Sequence, residues 1–344
     1  MEKRRNRPPT IHDVARTAAV SVMTVSRVLN NNPSVKQVTR SRVMNAIHSL
    51  GYAPNDAARM LKGRSSRTIA LVVPTLSDFF ASCFHAVQQV AIERGYQTLV
   101  VVTGRDSAVE DQQIESLMNH RVSGLILVTI GADTKSLRSF RENGIPVVAL
   151  DRPITAPPTD TVLVENREGA ELGVWHLIEH GHTRIACVSL DSGSYTTQER
   201  VEGYMQAMRA AKLDPILCTS LSGNEAMRAL VARWAASPDR PTAVFATKRI
   251  ATVQLIQALH RHSLRVPQEI ALVGFDDFEL AEVLSTPLTA VRQSPTEIAR
   301  AAAELLFKRI TAAQDKTRND HPCSKIFFPA ELIIRRSCGC SAKD

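Results

Sequence analysis

Residues 20–30 read Val20-Ser-Val-Met-Thr-Val-Ser-Arg-Val-Leu-Asn30. Ser21, alone or with Thr24, is a good N-cap, and Val25, Val28 and Leu29 recur on one face of the helix that follows. Val22 and Met23 lie in its first turn, with Arg27 one turn on. Asn30-Asn31-Asn32-Pro33 ends it, because the residue before proline avoids the αR region and asparagine favours turns. Upstream, Thr10 caps an earlier helix with Asp13 in its first turn, and Ile11, Val14, Ala15 and Ala18 share a face. Ala19-Val20 is a tight turn without glycine between the two. Downstream, Gln37 to Leu50 forms a third helix with Val38, Val43, Ala46, Ile47 and Leu50 inward, closed by Gly51. Three short helices, the first two joined by a tight turn, make a helix-turn-helix whose second helix enters the major groove.

The charge distribution agrees. Residues 1–68 carry thirteen Lys/Arg and three Asp/Glu, a net +10. The whole chain of 344 residues is only +8, so the remainder sums to −2. A basic head on a near-neutral body reads as a nucleic-acid-binding module attached to something else. Hydrophobic content of 44% and charged content of 22% are ordinary for a globular protein. The segment Met1-Glu-Lys-Arg-Arg-Asn-Arg-Pro-Pro9 has basic charge but no apolar run after it. The expectation is therefore a cytoplasmic, nucleoid-associated chain without a membrane span.

From residue 67 onward, short β-branched runs alternate with amphipathic stretches. Strands are expected at 68–73, 97–103, 124–129, 146–150, 184–190, 215–221, 242–246 and 270–275. Helices are expected near 79–94, from 109, and at 134–143, 167–180, 198–212, 223–236 and 249–263. Such alternation predicts parallel sheets covered on both faces, and so many strands predict two doubly wound lobes. Ligands of such sheets bind beyond the carboxyl ends of the strands, which points to the cleft between lobes.

The head resembles the lac repressor family of transcriptional regulators. The resemblance rests on Thr10-Ile-His-Asp-Val-Ala, Val20 to Asn30, Thr39-Arg and Leu50-Gly-Tyr-x-Pro-Asn55, collinear from residue 10 to about 68. It implies that Val22, Met23 and Arg27 read bases. Ser21, Thr24, Ser26, Asn30 and Thr39 would position the DNA backbone, and Tyr52 would help hold the module there. It further implies that Asn55-Asp-Ala-Ala-Arg-Met-Leu-Lys-Gly63 is a hinge helix, too short to be stable alone. Ala58, Leu61 and Lys62 would contact DNA, with Leu61 wedged between bases in the minor groove. A plain linker with Leu61 packed on the body is the alternative.

The resemblance extends through the body to residue 337. It is carried by Asp78-Phe-Phe-Ala81, Gly181-His-Thr-Arg-Ile185, Arg200-Val-Glu-Gly-Tyr204, Val273-Gly-Phe-Asp-Asp277 and Glu331-Leu-Ile-Ile-Arg-Arg-Ser337, among other stretches. It implies a two-lobed body of the periplasmic-binding-protein type I fold. The expected organisation is a helix-turn-helix domain at 1–54 and a hinge helix and linker at 55–67. An effector-binding and dimerisation domain would follow at 68–344. Its N-lobe would take about 68–166 and 295–323, and its C-lobe about 167–294 and 324–337.

By position, Phe79, Phe80 and Asp151 line the N-lobe side of the cleft, with Thr196, Arg200 and Asp276 facing them. Arg200 and Asp276 could instead be an interlobe ion pair. Two departures bear on the ligand. Sugar binders of the family commonly carry Asn-Asp or Ser-Asp after the strand at 242–246, where this chain has Lys248-Arg249. Two cations at a helix N-terminus oppose its dipole, which favours a carboxylate or phosphate nearby. The stretch Ile216 to Asn224 also lacks the aromatic that relatives set against a sugar face. A sugar, sugar acid or sugar phosphate is expected, the anionic forms favoured.

Six cysteines form no CxxC pair; Cys338 and Cys340 are too close for a standard zinc half-site, with no second pair facing them. Reduced thiols and no metal are expected, and the i,i+2 spacing of His180 and His182 reads as structural. No GxGxxG, Walker A, GxSxG or HExxH is present, so neither a nucleotide cofactor nor an enzyme is expected. The partners expected are a pseudo-palindromic double-stranded operator, a small effector and a second copy of the chain in a homodimer. The end of the chain carries no leucine heptads, which disfavours a tetramer by that route.

Overall fold

A computed structural model describes residues 9–29, 32–52, 66–131, 135–154, 156–190, 193–314 and 322–340. The chain divides into two units, Met1–Ser66 and Arg67–Asp344.

The described residues of the first unit form three helices, α1 (Ile11–Thr17), α2 (Val22–Leu29) and α3 (Gln37–Leu50). The carboxylate of Asp13 accepts from the Thr10 backbone N–H at 2.9 Å and its hydroxyl at 2.7 Å, which fixes the start of α1. The turn to α2 places Ala19 at φ 49°, a left-handed position that glycine would fill with less strain. Ser21 Oγ accepts from Thr24 N at 3.1 Å, the expected cap. Val14, Ala15, Ala18, Val25, Val28, Val43 and Ala46 form the buried core. Arg40 donates to Asn32 O at 3.0 Å and so ties α3 to the segment after α2. Gly51 ends α3 in the left-handed conformation, φ 60°. Val38, expected inward, is 75% exposed. It sits in the first turn of α3, before the helix reaches the small core.

The second unit has two six-stranded sheets. The first contains β1 (Thr68–Val73), β2 (Gln97–Val102), β3 (Gly124–Leu127), β4 (Val147–Leu150), β5 (Asp160–Val164) and β11 (Lys325–Phe328), in the order β11-β5-β4-β3-β1-β2. Every pairing in it is parallel. The second contains β6 (Ile185–Val188), β7 (Ile216–Cys218), β8 (Ala243–Ala246), β9 (Ala271–Phe275), β10 (Thr289–Arg292) and β12 (Glu331–Ile333), in the order β12-β10-β9-β8-β6-β7. Only its β10–β12 pair is antiparallel. Each sheet is covered on both faces by a buried apolar cluster, which is why its central strands read as continuous Val/Ile/Leu runs.

The helices are α4 (Asp78–Glu93), α5 (Ser107–Asn119), α6 (Lys135–Glu142), α7 (Asn166–Glu179), α8 (Tyr195–Ala210), α9 (Gly223–Ala235), α10 (Arg249–Arg261) and α11 (Pro295–Gln314). The chain leaves the first lobe after β5, returns with α11 and β11, and ends in the second lobe with β12. The crossover expected at 323 thus falls after residue 328, because Lys325–Phe328 hydrogen-bonds along β5. The strands β5, β10, β11 and β12 were not legible as periodic segments. They are short, and flanking prolines interrupt their pattern.

Packing between α7 and α8 is set by glycine. A Cβ on Gly203 would lie 2.2 Å from the Arg167 carbonyl oxygen. After β12 the chain runs back over the second sheet. Arg335 grips Asp277 with two bonds, at 2.8 and 2.9 Å, and Ser337 Oγ donates to Leu272 O at 2.6 Å. Beyond it, Cys340 meets His176 and His180 at the end of α7, so histidines rather than a second cysteine pair face it. No helix among the described residues is long and apolar enough to cross a membrane.

Candidate functional site

The first unit presents α2 outward. Met23 is 65% exposed, and Arg27, also exposed, follows one turn later on the same face. Val22 is half-buried against the three-helix core, so one side of it packs while the other remains at the surface. Thr24 and Ser26 are half-buried, and the Ser21 and Thr24 hydroxyls lie 2.9 Å apart. Thr39 opens α3, half-buried. Tyr52 packs on the same core, and burial raises its phenol pKa. Asn30, Ala58, Leu61 and Lys62 lie outside the described residues.

In the second unit, both lobes end a central strand with an aspartate in the left-handed region. Asp151 follows β4 at φ 65°, and Asp276 follows β9 at φ 74°. Such strained backbone, repeated at equivalent strand ends, aims each carboxylate out of the sheet. Asp151 is buried. Desolvation pushes its pKa up, Arg152, Arg200 and Lys248 pull it down, and Asp276 pushes it up again. Three of those four groups come from the other lobe, so the two strand ends share one electrostatic environment.

Arg200, on α8, is 3% exposed. Its Nε donates to Asn166 Oδ1 at 2.8 Å, and its Nη1 to Thr247 O at 2.8 Å and Asp276 Oδ2 at 3.2 Å. Its guanidinium carbon stands 3.7 Å from the centroid of the Phe275 ring. Gln293 Nε2 donates to the other oxygen of Asp276 at 2.5 Å. Asp276 is thus held from both sides, and Arg335 holds the next residue. The Arg200–Asp276 pair lies within the second lobe, so the interlobe alternative is corrected. Among the described residues, Arg249 pairs with Asp78 across the cleft.

Phe80 is buried and Phe79 half-buried, edge to face at 5.2 Å. Thr196 is buried in the first turn of α8. Lys248 is the N-cap of α10 and Ser194 the N-cap of α8, and Lys248 Nζ donates to Ser194 Oγ at 2.8 Å. One ammonium therefore stands where two helix N-termini meet. Arg249, expected beside it as a ligand group, is engaged with Asp78 instead. Three buried polar atoms here have no hydrogen-bond partner among the described residues: Arg152 Nε, Thr247 Oγ1 and Gln293 Oε1. Such atoms are costly unless something polar reaches them. Asn166, Thr247, Gln293 and Asp78 were not assigned to the site from the sequence. Their signal is adjacency, since Thr247 precedes Lys248 and Asp78 precedes Phe79.

An exposed helix suited to the major groove and a polar cleft between two α/β lobes define a ligand-responsive DNA-binding regulator. Residues 10–55 match the model of bacterial regulatory proteins of the lacI family, and 174–338 that of a periplasmic-binding-protein-like domain. The HTH-type transcriptional repressor PurR of Aliivibrio salmonicida (strain LFI1238) is 32% identical over 335 residues, covering 95% of this chain and 98% of that protein. Among solved structures, a complex of the transcriptional regulator CelR with cellobiose is 31% identical with a TM-score of 0.69, covering 96% of this chain and 99% of that one. The lac repressor dimer bound to operator and the anti-inducer ONPF is 25% identical with a TM-score of 0.81, covering 96% and 99%. This chain belongs to the lacI family of bacterial regulatory proteins. It is a transcriptional repressor with a DNA-binding and an effector-binding domain, and not an enzyme.

Proposed function

We propose that this repressor binds a pseudo-palindromic operator as a cytoplasmic, nucleoid-associated homodimer, and that a small polar metabolite held between the lobes sets its operator affinity. The metabolite is a sugar acid or sugar phosphate. The carrying observation is the convergence of Asp151, Arg200 and Asp276 with buried Thr247 Oγ1 and Gln293 Oε1, which have no hydrogen-bond partner among the described residues. Carboxylates and a guanidinium fixed in place suit hydroxyl groups, which donate and accept alike. Phe79 and Phe80 supply an apolar wall for the ring. Lys248, between the N-termini of α8 and α10, supplies the anion contact. On the DNA side, Met23 and Arg27 read base edges with the outer side of Val22. Ser21, Thr24, Ser26, Thr39 and Tyr52 hold the backbone, with Asn30, Ala58, Leu61 and Lys62 completing the contact. The domain limits proposed are 1–54, 55–67 and 68–344.

A neutral sugar is the second reading, favoured by the cellobiose complex of CelR and by the pairing of Arg249 with Asp78. Calorimetric titration of the full chain with neutral sugars, sugar acids and sugar phosphates separates them. An anionic compound binds wild type, and Lys248→Ala weakens it about tenfold, equivalent to about 1.4 kcal/mol. Binding of neutral sugars alone, with Lys248→Ala unchanged, overturns the anionic assignment and leaves the cleft as the site.

A further inference from the structure

Far from the cleft, the C-terminal end of α7 gathers three side chains of one chemical kind. His176 lies in the last turn and His180 is the C-cap, so the pair is spaced i,i+4 on one side of the helix. Cys340 reaches them from the segment after β12. Gly339, at φ 93°, makes the turn that sends it there. Cys340 Sγ lies 2.9 Å from His180 Nε2 and 3.4 Å from His176 Nε2. The three atoms all fall within 4.8 Å of one another. In a tetrahedral zinc site, Zn–S of about 2.3 Å and Zn–N of about 2.0–2.1 Å set sulfur and nitrogen about 3.5 Å apart. The observed 3.4 Å to His176 already fits, and the 2.9 Å to His180 must open by about 0.6 Å.

The imidazole orientation supports the same reading. His180 Nδ1 is 2.6 Å from the His176 carbonyl oxygen. A carbonyl can only accept, so Nδ1 carries the proton and Nε2 presents its lone pair to Cys340. Ligating histidines are held by this kind of second hydrogen bond. His176 is buried, Cys340 half-buried and His180 exposed, which leaves an approach for a solvated ion from the His180 side. Cys338, two residues earlier, accepts from Thr289 Oγ1 at 3.1 Å, and its buried thiol also meets His176 and Cys340 from the core side.

We propose that His176, His180 and Cys340 bind a zinc ion, with solvent in the fourth position. The bound ion pins the C-terminal segment to α7. That segment also carries Arg335, which holds the loop after Asp276, while Asn166 at the other end of α7 orients Arg200.

The test uses the untagged full chain, reduced and freed of metal, titrated with cobalt and then with zinc. One cobalt per chain is expected, with the visible bands of a tetrahedral site and a thiolate charge-transfer band, and zinc should bleach both. Cys340→Ser should remove the charge-transfer band, and His180→Gln should lower affinity at least tenfold. Circular dichroism and operator binding check that each variant is folded. Absence of tetrahedral bands in folded wild type, or undiminished charge transfer in folded Cys340→Ser, overturns the proposal.

Discussion

Asp151 is an acid that the fold holds against its ordinary titration. Burial raises its pKa more than Arg152, Arg200 and Lys248 lower it, and burial also raises that of Glu110, which hydrogen-bonds to Thr129 at 2.8 Å. A carboxyl whose folded pKa lies above its unfolded value contributes stability that is complete below the unfolded pKa. That contribution is lost as pH rises through the folded value. Asp151→Asn should therefore flatten the fall of unfolding free energy with rising pH, stabilise the effector-free body at neutral pH, and abolish the effector response. Denaturant titration across the carboxyl range checks the first two. Unchanged pH dependence in the variant would contradict the assignment. In the head, Arg27→Ala should cost about 1–3 kcal/mol of operator binding and relax preference at one base pair, read by competition with single-base operator variants. An operator preference identical to wild type would remove Arg27 from base reading.

Among elements, the contact between α7 and α8 couples packing to the site. Gly203 lets α8 approach within a distance that any side chain blocks, and the two helices carry Asn166 and Arg200. Gly203→Ala should lower stability by about 1–3 kcal/mol and weaken effector binding with it, measurable by melting and calorimetry on one preparation. An unaltered melting temperature would show that the helices separate at no cost. Most elements were legible because their period was. The helices of the head follow from Val14, Val25, Val28 and Val43, and the central strands from unbroken apolar runs. The exceptions have physical reasons. Val38 carries an apolar side chain at the helix start, beyond the reach of the core. Strand β11 belongs to the first sheet by hydrogen bonding to β5, a pairing that local pattern does not encode. The convergence of His176, His180 and Cys340 spans 164 residues of chain, so spacing rules applied to neighbouring cysteines missed it. Of the cleft, the charged residues at strand ends were legible from the topology rule. The partners of Arg200 and the pairing of Arg249 with Asp78 depend on how the strands align, and were not.

At the scale of the molecule, two lobes joined by three crossovers can change their angle, and a ligand biases that angle only by binding one arrangement better. Arg249 with Asp78 is an ion pair that spans the cleft mouth, and Asp78 is 80% exposed. Exposed pairs contribute little to folding, so Asp78→Asn should leave the melting temperature unchanged. Because the pair favours one lobe angle, the same variant should shift effector affinity about two- to fivefold, with the difference fading at high salt. A shift that persists at high salt would argue against a charge contact. The proposed function couples a cleft between lobes to a major-groove helix within one chain. It is tested by affinity at fixed salt for an operator selected from random duplex DNA, with and without sugar acids and sugar phosphates. A change of tenfold or more with one of them, absent in Asp276→Asn, is the predicted result. Tight operator binding that no such compound alters, or an equal response in Asp276→Asn, would contradict it.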